Sequence, residues 1–299
     1  MPRLKIHHKT EYRYARPVAF GEHRVMLRPR DGHDLRVLAS RLDIVPEPMR
    51  LRWIHDVFGN SVAIATFDER ARKLTFTSEV TVEHEPEEEF ALTPDDPAYF
   101  YPFLYDNDEF PDLRQYVTPN YSDPNGELST WARNFLDEES PSPTFKILSG
   151  MTHGIRDAFA YRKRHEQGTQ HPLDTLQTGS GTCRDYALLM IEALRRLGIA
   201  ARFVSGYLFT GDDDRHLGGG STHAWVQVYL PSAGWIEFDP TNGITGSRDL
   251  IRVAVARDPR QAIPLHGTYL GPAEAFIDMK VSINVVSLDQ DEVRTEEEA

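Results

Sequence analysis

The sequence predicts an α+β protein that begins with an all-β module. Short runs of alternating apolar and polar residues fill positions 4–84, helical patterns begin near residue 127, and strand patterns return after residue 200. A chain of 299 residues is long enough for two domains. We therefore expect an antiparallel β module at 1–95, a connector at 96–125, an α+β domain at 126–290 and an acidic tail at 291–299.

The N-terminal module is predicted from five runs that turn residues separate. Turn signals include Phe58-Gly59-Asn60 and Asp68-Glu69-Arg70. The runs are LKIHH, LRVLASRLDIV, LRWIHD, SVAIATF and LTFTSEVTVEH. The connector is rich in proline, aspartate and aromatic residues and has no clear period, which is typical of a linker anchored on other surfaces.

The second domain is predicted to open with helices and to continue with strands. Helical patterns cover Glu127–Glu138 and Pro143–His165, and Ser142-Pro143 provides a cap and a first-turn proline. A third helix runs from Cys183 to a stop at Gly198, and its apolar sequence predicts burial on nearly all sides. The predicted strands are ARFVSGYL, THAWVQVYL, WIEFD and VSINVVSL, and we expect the last to extend the sheet of this domain.

Composition excludes several functional classes. The 33 basic and 46 acidic residues give a net charge of −13, which disfavours binding to nucleic acid. No apolar run is long enough to cross a bilayer, and no secretory signal is visible, so we expect no membrane association. The single cysteine cannot form an internal disulfide, which favours a cytoplasmic location. The acidic runs EHEPEEE and EVRTEEEA are predicted to be solvated, with a docking surface for a basic partner as the alternative.

The single cysteine lies where a helix is predicted to begin. With Thr182 as N-cap, Cys183 is the first helical residue and Asp185 the third, which matches a capping box. The positive end of the helix dipole favours a thiolate, and free N–H groups there can stabilise an oxyanion. The alternative is a buried cysteine that only fills space, because a catalytic cysteine also needs a base.

A histidine and an aspartate on neighbouring strands complete a candidate triad. Alternation places His223 on one face with Trp225, and Asp239 ends the next strand. A hairpin centred on Pro231 puts His223 directly opposite Asp239, and any even register keeps both on one face. The alternative for Asp239 is a role in the turn Asp-Pro-Thr-Asn-Gly alone.

These motifs resemble a known family. GTCRDYALLMIEALRRLGIAARFVSGYL, followed by STHAWVQVYLPSAGWIEFDPTNG, is similar to the core of the transglutaminase-like superfamily and its bacterial cysteine peptidase branch, most clearly over residues 173–243. The resemblance implies a papain-like α+β core, in which a helix bearing the cysteine packs on an antiparallel sheet. It also implies that Cys183 is the nucleophile, His223 its base and Asp239 the orienting group, and that the N-terminal β region is a family feature.

The implied reaction is acyl transfer from a peptide or protein substrate through a thioester. Water as acceptor makes a peptidase or amidase, which we favour, and an amine makes a transglutaminase. A noncatalytic interaction scaffold is a further alternative. No cofactor is expected. No metal is expected either, because the spacing of His171, His216, His223 and Asp212–Asp214 matches no metal motif. Some animal transglutaminases use calcium, so the resemblance keeps a metal site open as an alternative. Trp225 is expected in the core or as a wall that excludes water.

Overall fold

The computed structural model describes residues 2–85, 92–138, 141–162, 168–209, 217 and 222–288. Within these residues the helices are α1 (Phe110–Val117), α2 (Glu127–Arg133), α3 (Thr144–Ala158), α4 (Pro172–Thr178) and α5 (Cys183–Arg196). The strands are β1 (Arg3–Val25), β2 (Leu35–Val45), β3 (Arg50–His55), β4 (Ser61–Thr66), β5 (Arg70–His84), β6 (Phe100–Tyr101), β7 (Ser142–Pro143), β8 (Ala160–Tyr161), β9 (Ser180–Gly181), β10 (Ala201–Leu208), β11 (His223–Leu230), β12 (Gly234–Asp239), β13 (Ile244–Thr245), β14 (Leu250–Ala256), β15 (Leu265–Leu270) and β16 (Phe276–Ser287).

The N-terminal module is an antiparallel sheet built around its first strand. Its order is β2-β5-β1-β4-β3, and β15 and β16 also pair with β1. β1 is 23 residues long and changes partners along its length. Its first half lies between β5 and β16, and its second half contacts β4 and β15. The five predicted runs all correspond to strands of this sheet.

The C-terminal strands do not extend the sheet of the second domain. β16 pairs with β1 from Leu4↔Ser287 to Tyr14↔Phe276, and β15 pairs with the far end of β1. The expectation for VSINVVSL is therefore wrong. Strand periodicity identifies a strand but not its partner, and the free edge of β1 offers an unpaired row of N–H and C=O groups.

The second domain has the predicted α+β architecture. Its antiparallel sheet has the order β13-β12-β11-β10-β14, and α5 packs on β11 and β10. Alternate residues of β11, including Val226 and Val228, are buried in one cluster with the apolar side chains of α5. Trp225 lies in a separate cluster with Val204 and Leu250. The fold class is confirmed.

Two predicted helices are shorter than expected. α2 ends at Arg133, and α3 begins at Thr144 with Pro143 as its N-cap. Pro143 is extended because it pairs with Phe100 in the short ladder β6–β7. Phe159, at φ −109° and ψ 138°, ends α3, and His165 lies outside the described residues.

The β module and the second domain share one apolar core. Leu4, Ile6, Val80 and Val82 belong to the same buried cluster as the side chains of α5. Polar contacts also cross the interface, and His8 Nδ1 lies 3.0 Å from the hydroxyl of Tyr207. The module is thus fixed against the sheet of the second domain. Within the described chain, no helix combines the length and apolar character needed to span a membrane.

Candidate active site

Cys183 is the first residue of α5, as the sequence predicts. Thr182 is the N-cap, and its backbone N–H donates to Asp185 Oδ2 over 2.8 Å, which is the reciprocal half of a capping box. Cys183 is a buried residue with an exposed fraction of 6%, and its thiol is free. The sulfur therefore lies at the positive end of the helix dipole.

Gly181 allows a short strand to pass close to the first turn of α5. A Cβ atom at Gly181 would lie 2.8 Å from Asp185 Cβ, closer than side chains tolerate. Gln170 supports the same turn, because its backbone N–H donates to Asp185 Oδ1 over 2.8 Å. Asp185 thus fixes the segment before the cysteine as well as the start of the helix.

The hairpin β11–β12 places His223 and Asp239 on one face. Val226 pairs with Phe238 and Leu230 with Gly234, so the register is even, and this prediction is confirmed. The prediction that His223 lies directly opposite Asp239 is wrong. The observed register differs from the predicted one by two residues, so the two side chains are diagonal neighbours. A three-residue loop, with Ser232 at φ 67°, makes the turn.

The imidazole of His223 and the carboxylate of Asp239 are hydrogen-bonded. Nε2 of His223 lies 2.7 Å from Oδ2 of Asp239, and both side chains are fully buried. An ionised carboxylate only accepts hydrogen bonds, so Nε2 is the protonated nitrogen. Nδ1 of His223 is also buried, and it has no hydrogen-bond partner among the described residues. Nδ1 therefore has no competing partner in this part of the chain.

The turn after β12 holds Asp239 from the other side. The backbone N–H of Thr241 donates to Oδ1 over 2.8 Å, and Asn242 Nδ2 donates to Oδ2 over the same distance. Asp239 is thus both the start of the turn and the partner of His223. Asn242 is not among the residues predicted from the sequence, although an Asx residue at a turn, three positions after the aspartate, is a signal for it.

Electrostatics favour an ion pair between His223 and Asp239. Burial lowers the pKa of His223, but the charge and hydrogen bond of Asp239, together with Cys183, outweigh it and raise this pKa. Burial raises the pKa of Asp239, and the opposing contributions of His223, Asn242 and Thr241 lower it below its usual value. The imidazolium is thus stabilised between a carboxylate and a sulfur.

Tyr161 is a further residue at the site, and no pattern in the sequence predicts it. β8 pairs in parallel with β9, which places Tyr161 beside Gly181, two residues before Cys183. The pKa of Tyr161 is raised, first by burial and then by the charge of Cys183 and a hydrogen bond with it. The ionisation of Tyr161 is therefore linked to that of the cysteine.

Trp225 is a core residue that also covers the histidine. Its side chain is fully buried, and its ring lies 6.0 Å from that of His223 at an interplanar angle of 26°. A Cβ atom at Gly206 would lie 2.5 Å from the indole, so a glycine there makes room for it. The stacked indole restricts the orientation of the imidazole.

The alternative metal ligands are not brought together among the described residues. His171 caps α4, where its Nδ1 accepts from the backbone N–H of Leu173 over 3.2 Å. His216 and Asp212–Asp214 lie outside the described residues. Within the described ranges, no group of three or more His, Cys, Asp or Glu side chains could hold a metal ion.

Comparison with known proteins agrees with this architecture. The structure has a cysteine at the start of a helix and a histidine and an aspartate on neighbouring strands, as the sequence resemblance implies. The family model of the bacterial transglutaminase-like N-terminal region matches residues 4–83, and that of the transglutaminase-like superfamily matches residues 130–240. The chain belongs to the transglutaminase-like superfamily.

Similar proteins cover nearly the whole chain. An uncharacterised protein of Mycobacterium tuberculosis is 30% identical and spans 97% of this chain and 94% of its own length. A solved structure from Cytophaga hutchinsonii, provisionally named a cysteine protease, has a TM-score of 0.71 at 20% identity and covers 96% of this chain and 91% of its own. A protein-glutamine gamma-glutamyltransferase of Pseudomonas aeruginosa is 38% identical over 77 residues, which are 24% of this chain and 11% of that protein. Family membership supports cysteine-dependent catalysis in general.

Proposed function

We propose that this protein catalyses acyl transfer from peptide or protein amides, with Cys183 as nucleophile, His223 as base and Asp239 as orienting group. The observation that supports the proposal best is the 2.7 Å contact between His223 Nε2 and Asp239 Oδ2, which leaves Nδ1 for the sulfur. A cysteine, a base and an orienting carboxylate are the parts that thiol catalysis requires.

In the first step, the Cys183 thiol gives its proton to His223 Nδ1, and the sulfur attacks the amide carbonyl carbon. The C–S bond forms, and the carbonyl π electrons move to oxygen. When this oxyanion collapses, the C–N bond breaks, and His223 Nδ1 donates its proton to the leaving nitrogen. The products of this step are a free amine or ammonia and a thioester on the enzyme.

In the second step, an acceptor attacks the thioester carbon and gives its proton to His223 Nδ1. The C–S bond then breaks and the thiolate is restored. We propose water as the acceptor, so the protein acts as a peptidase or amidase. The alternative acceptor is a primary amine, which would make the protein a transglutaminase. The similarity of this chain to a protein-glutamine gamma-glutamyltransferase over 77 residues supports this alternative.

Two donors are available for the oxyanion. The backbone N–H of Cys183 belongs to the first turn of α5, where N–H groups have no intrahelical acceptor. We assign the second donor to the hydroxyl of Tyr161, which β8 brings beside the cysteine. An uncharged phenol can donate to the oxygen when negative charge develops there.

The test is incubation of the protein with a peptide mixture, with and without a primary amine, followed by mass spectrometry. Hydrolysis gives shorter peptides or converts glutamine to glutamate, whereas transfer gives amine adducts with release of ammonia. Cys183→Ala is expected to abolish either product. Products that persist in Cys183→Ala would contradict the proposal.

If the protein is a noncatalytic scaffold, the thiol of Cys183 is expected to be unactivated. The activated sulfur is expected to react with a thiol probe near neutral pH, and His223→Ala is expected to slow that reaction. Slow labelling that His223→Ala leaves unchanged would favour the scaffold. The single cysteine also leads us to propose a cytoplasmic location, which fractionation of cells would test.

A further inference from the structure

A cavity of about 350 Å³ lies between the β module and the sheet of the second domain. Loop residues 30–34 after β1 form one side, and residues of β10, β11, β12 and β14 form the other. None of the three triad residues lines it. Its size falls in the range of small-molecule sites.

Three cross-strand neighbours form the floor of this cavity. Arg202 pairs with Gln227, and Gln227 pairs with Glu237, so their side chains share one face of the sheet. Arg202 Nε donates to Gln227 Oε1 over 2.9 Å, and Gln227 Nε2 donates to Glu237 Oε1 over 3.0 Å. The floor is therefore a fixed hydrogen-bonded row with a cation at one end and a carboxylate at the other.

Three arginines and three carboxylates line the cavity, but the carboxylates are not shared evenly among the arginines. Arg252 bridges Glu237 and Asp34 over 2.8 and 2.9 Å. Arg202 and Arg30 also line the cavity, and neither has a carboxylate within ion-pair distance among the described residues. The Arg202 guanidinium instead lies 3.9 Å from the ring centroid of Trp235.

Electrostatics agree with this uneven pairing. Burial, and then the charges of Arg30 and Arg252, lower the pKa of Arg202 to about 9 in spite of Tyr116. The pKa of Arg30 is lowered by burial and by Arg252. A bound anion would offset this mutual repulsion.

One buried oxygen in the cavity lacks a partner. Glu237 is 4% exposed, and its Oε1 accepts from Arg252 and Gln227. Its Oε2 is buried and accepts no hydrogen bond from the described residues. Glu237 lines the cavity, and buried polar atoms are normally satisfied, so its unpaired oxygen indicates a donor from outside the described residues.

We propose that this cavity binds a small oxyanion that also carries a hydrogen-bond donor. The anionic oxygens contact Arg202 and Arg30, and the O–H or N–H of the ligand donates to Glu237 Oε2. Guanidinium groups recognise carboxylate and phosphate oxygens with two N–H donors at once. Hydrogenphosphate and the zwitterion of an α-amino acid both have this chemistry.

The test is calorimetric titration of the full chain at fixed ionic strength with three probes: inorganic phosphate, glycine and sulfate. Phosphate and glycine both offer an anionic oxygen and a donor, whereas sulfate near neutral pH offers no donor. We expect phosphate or glycine to bind at least about tenfold more tightly than sulfate, since one charge-assisted hydrogen bond is at stake. Binding of phosphate alone identifies a phosphate source, and binding of glycine alone an amino-acid source.

Variants of Arg202 test whether the probes bind in this cavity. Arg202→Gln is expected to weaken it by about tenfold or more, and Arg202→Lys, which keeps the charge, by less. Arg41, an exposed residue of β2, provides the matched control, and Arg41→Gln is expected to leave binding unchanged. Cys183→Ser is also expected to leave it unchanged, so failure of the proposed catalysis would not affect this result. The proposal would be overturned if neither phosphate nor glycine bound, or if sulfate bound as tightly as they do. It would also be overturned if both Arg202 variants kept the full affinity of the wild type.

Discussion

Replacement of Asp239 by asparagine tests how the proposed triad of Cys183, His223 and Asp239 works. An asparagine amide can donate to His223 Nε2, which stabilises the tautomer that carries its proton on Nδ1. That tautomer cannot accept a proton from Cys183, and no carboxylate remains to stabilise an imidazolium. The contacts from Thr241 and Asn242 show that Asp239 is held on both sides, so we expect the geometry to change little.

The size of the effect follows from one buried charge-assisted hydrogen bond of 2.7 Å. Such bonds contribute about 1.5–3 kcal/mol, which is about 10- to 150-fold in rate. An ordinary thiol is only about 0.3% ionised at pH 6, which sets an upper limit of about 300-fold for the loss of a preformed ion pair. We therefore expect Asp239→Asn to slow alkylation of the cysteine at pH 6 by about 10- to 150-fold.

The assay is the rate of iodoacetamide alkylation, read from the mass of the intact protein. The chain has one cysteine, so no other thiol contributes to the signal. Asp258→Asn is the matched control, because Asp258 is 2% exposed and its carboxylate bonds to Arg260 and Tyr121 instead. Alkylation of Asp239→Asn at the wild-type rate would refute this account of the triad.

Three further predictions follow from the same contacts. Tyr161→Phe is expected to lower the turnover number about 10-fold or more with little change in KM, as for loss of an oxyanion donor, and equal turnover in steady-state kinetics would exclude that role. Asn242→Ala removes one hydrogen bond to Asp239 and is expected to slow alkylation by about 2- to 10-fold, with an unchanged rate as the contrary result. The raised pKa of His223 stabilises the fold fully below about pH 6.5 and less as pH rises through the folded-state value, whereas the lowered pKa of Asp239 stabilises it above about pH 4 and less in acid. The difference in melting temperature between wild type and His223→Gln is therefore expected to be largest between about pH 4 and 6.5 and to narrow on both sides, and a difference that grows with alkaline pH would contradict it.

Local rules predicted the parts of the site that local sequence controls. The capping residues Thr182 and Asp185 set the start of α5, and strand alternation put His223 and Asp239 on one face. Alternation could not distinguish the predicted register from the observed one, because a shift of two residues keeps every side chain on the same face of the sheet. It depends on the loop between β11 and β12, where Ser232 adopts φ 67° to close a three-residue turn.

Other features depend on partners that are distant in sequence. Tyr161 reaches the cysteine through a parallel pair of only two residues in each strand, β8 and β9, which leaves no periodic signal. The helix predicted through residue 165 ends at Ala158, because the chain must become extended to form that pair. The partner of β16 was likewise invisible, since its alternation fits any sheet with a free edge.

The pairing of β16 with β1 joins residues near the two ends of the described chain. A ribosome that has released the first ninety residues has therefore not yet supplied every strand of their sheet. One edge of β1 stays unpaired until residues 265–287 have been synthesised, and in the meantime its exposed backbone invites contact with other chains. A gene fragment cut at the apparent border between the two domains would make that temporary state permanent.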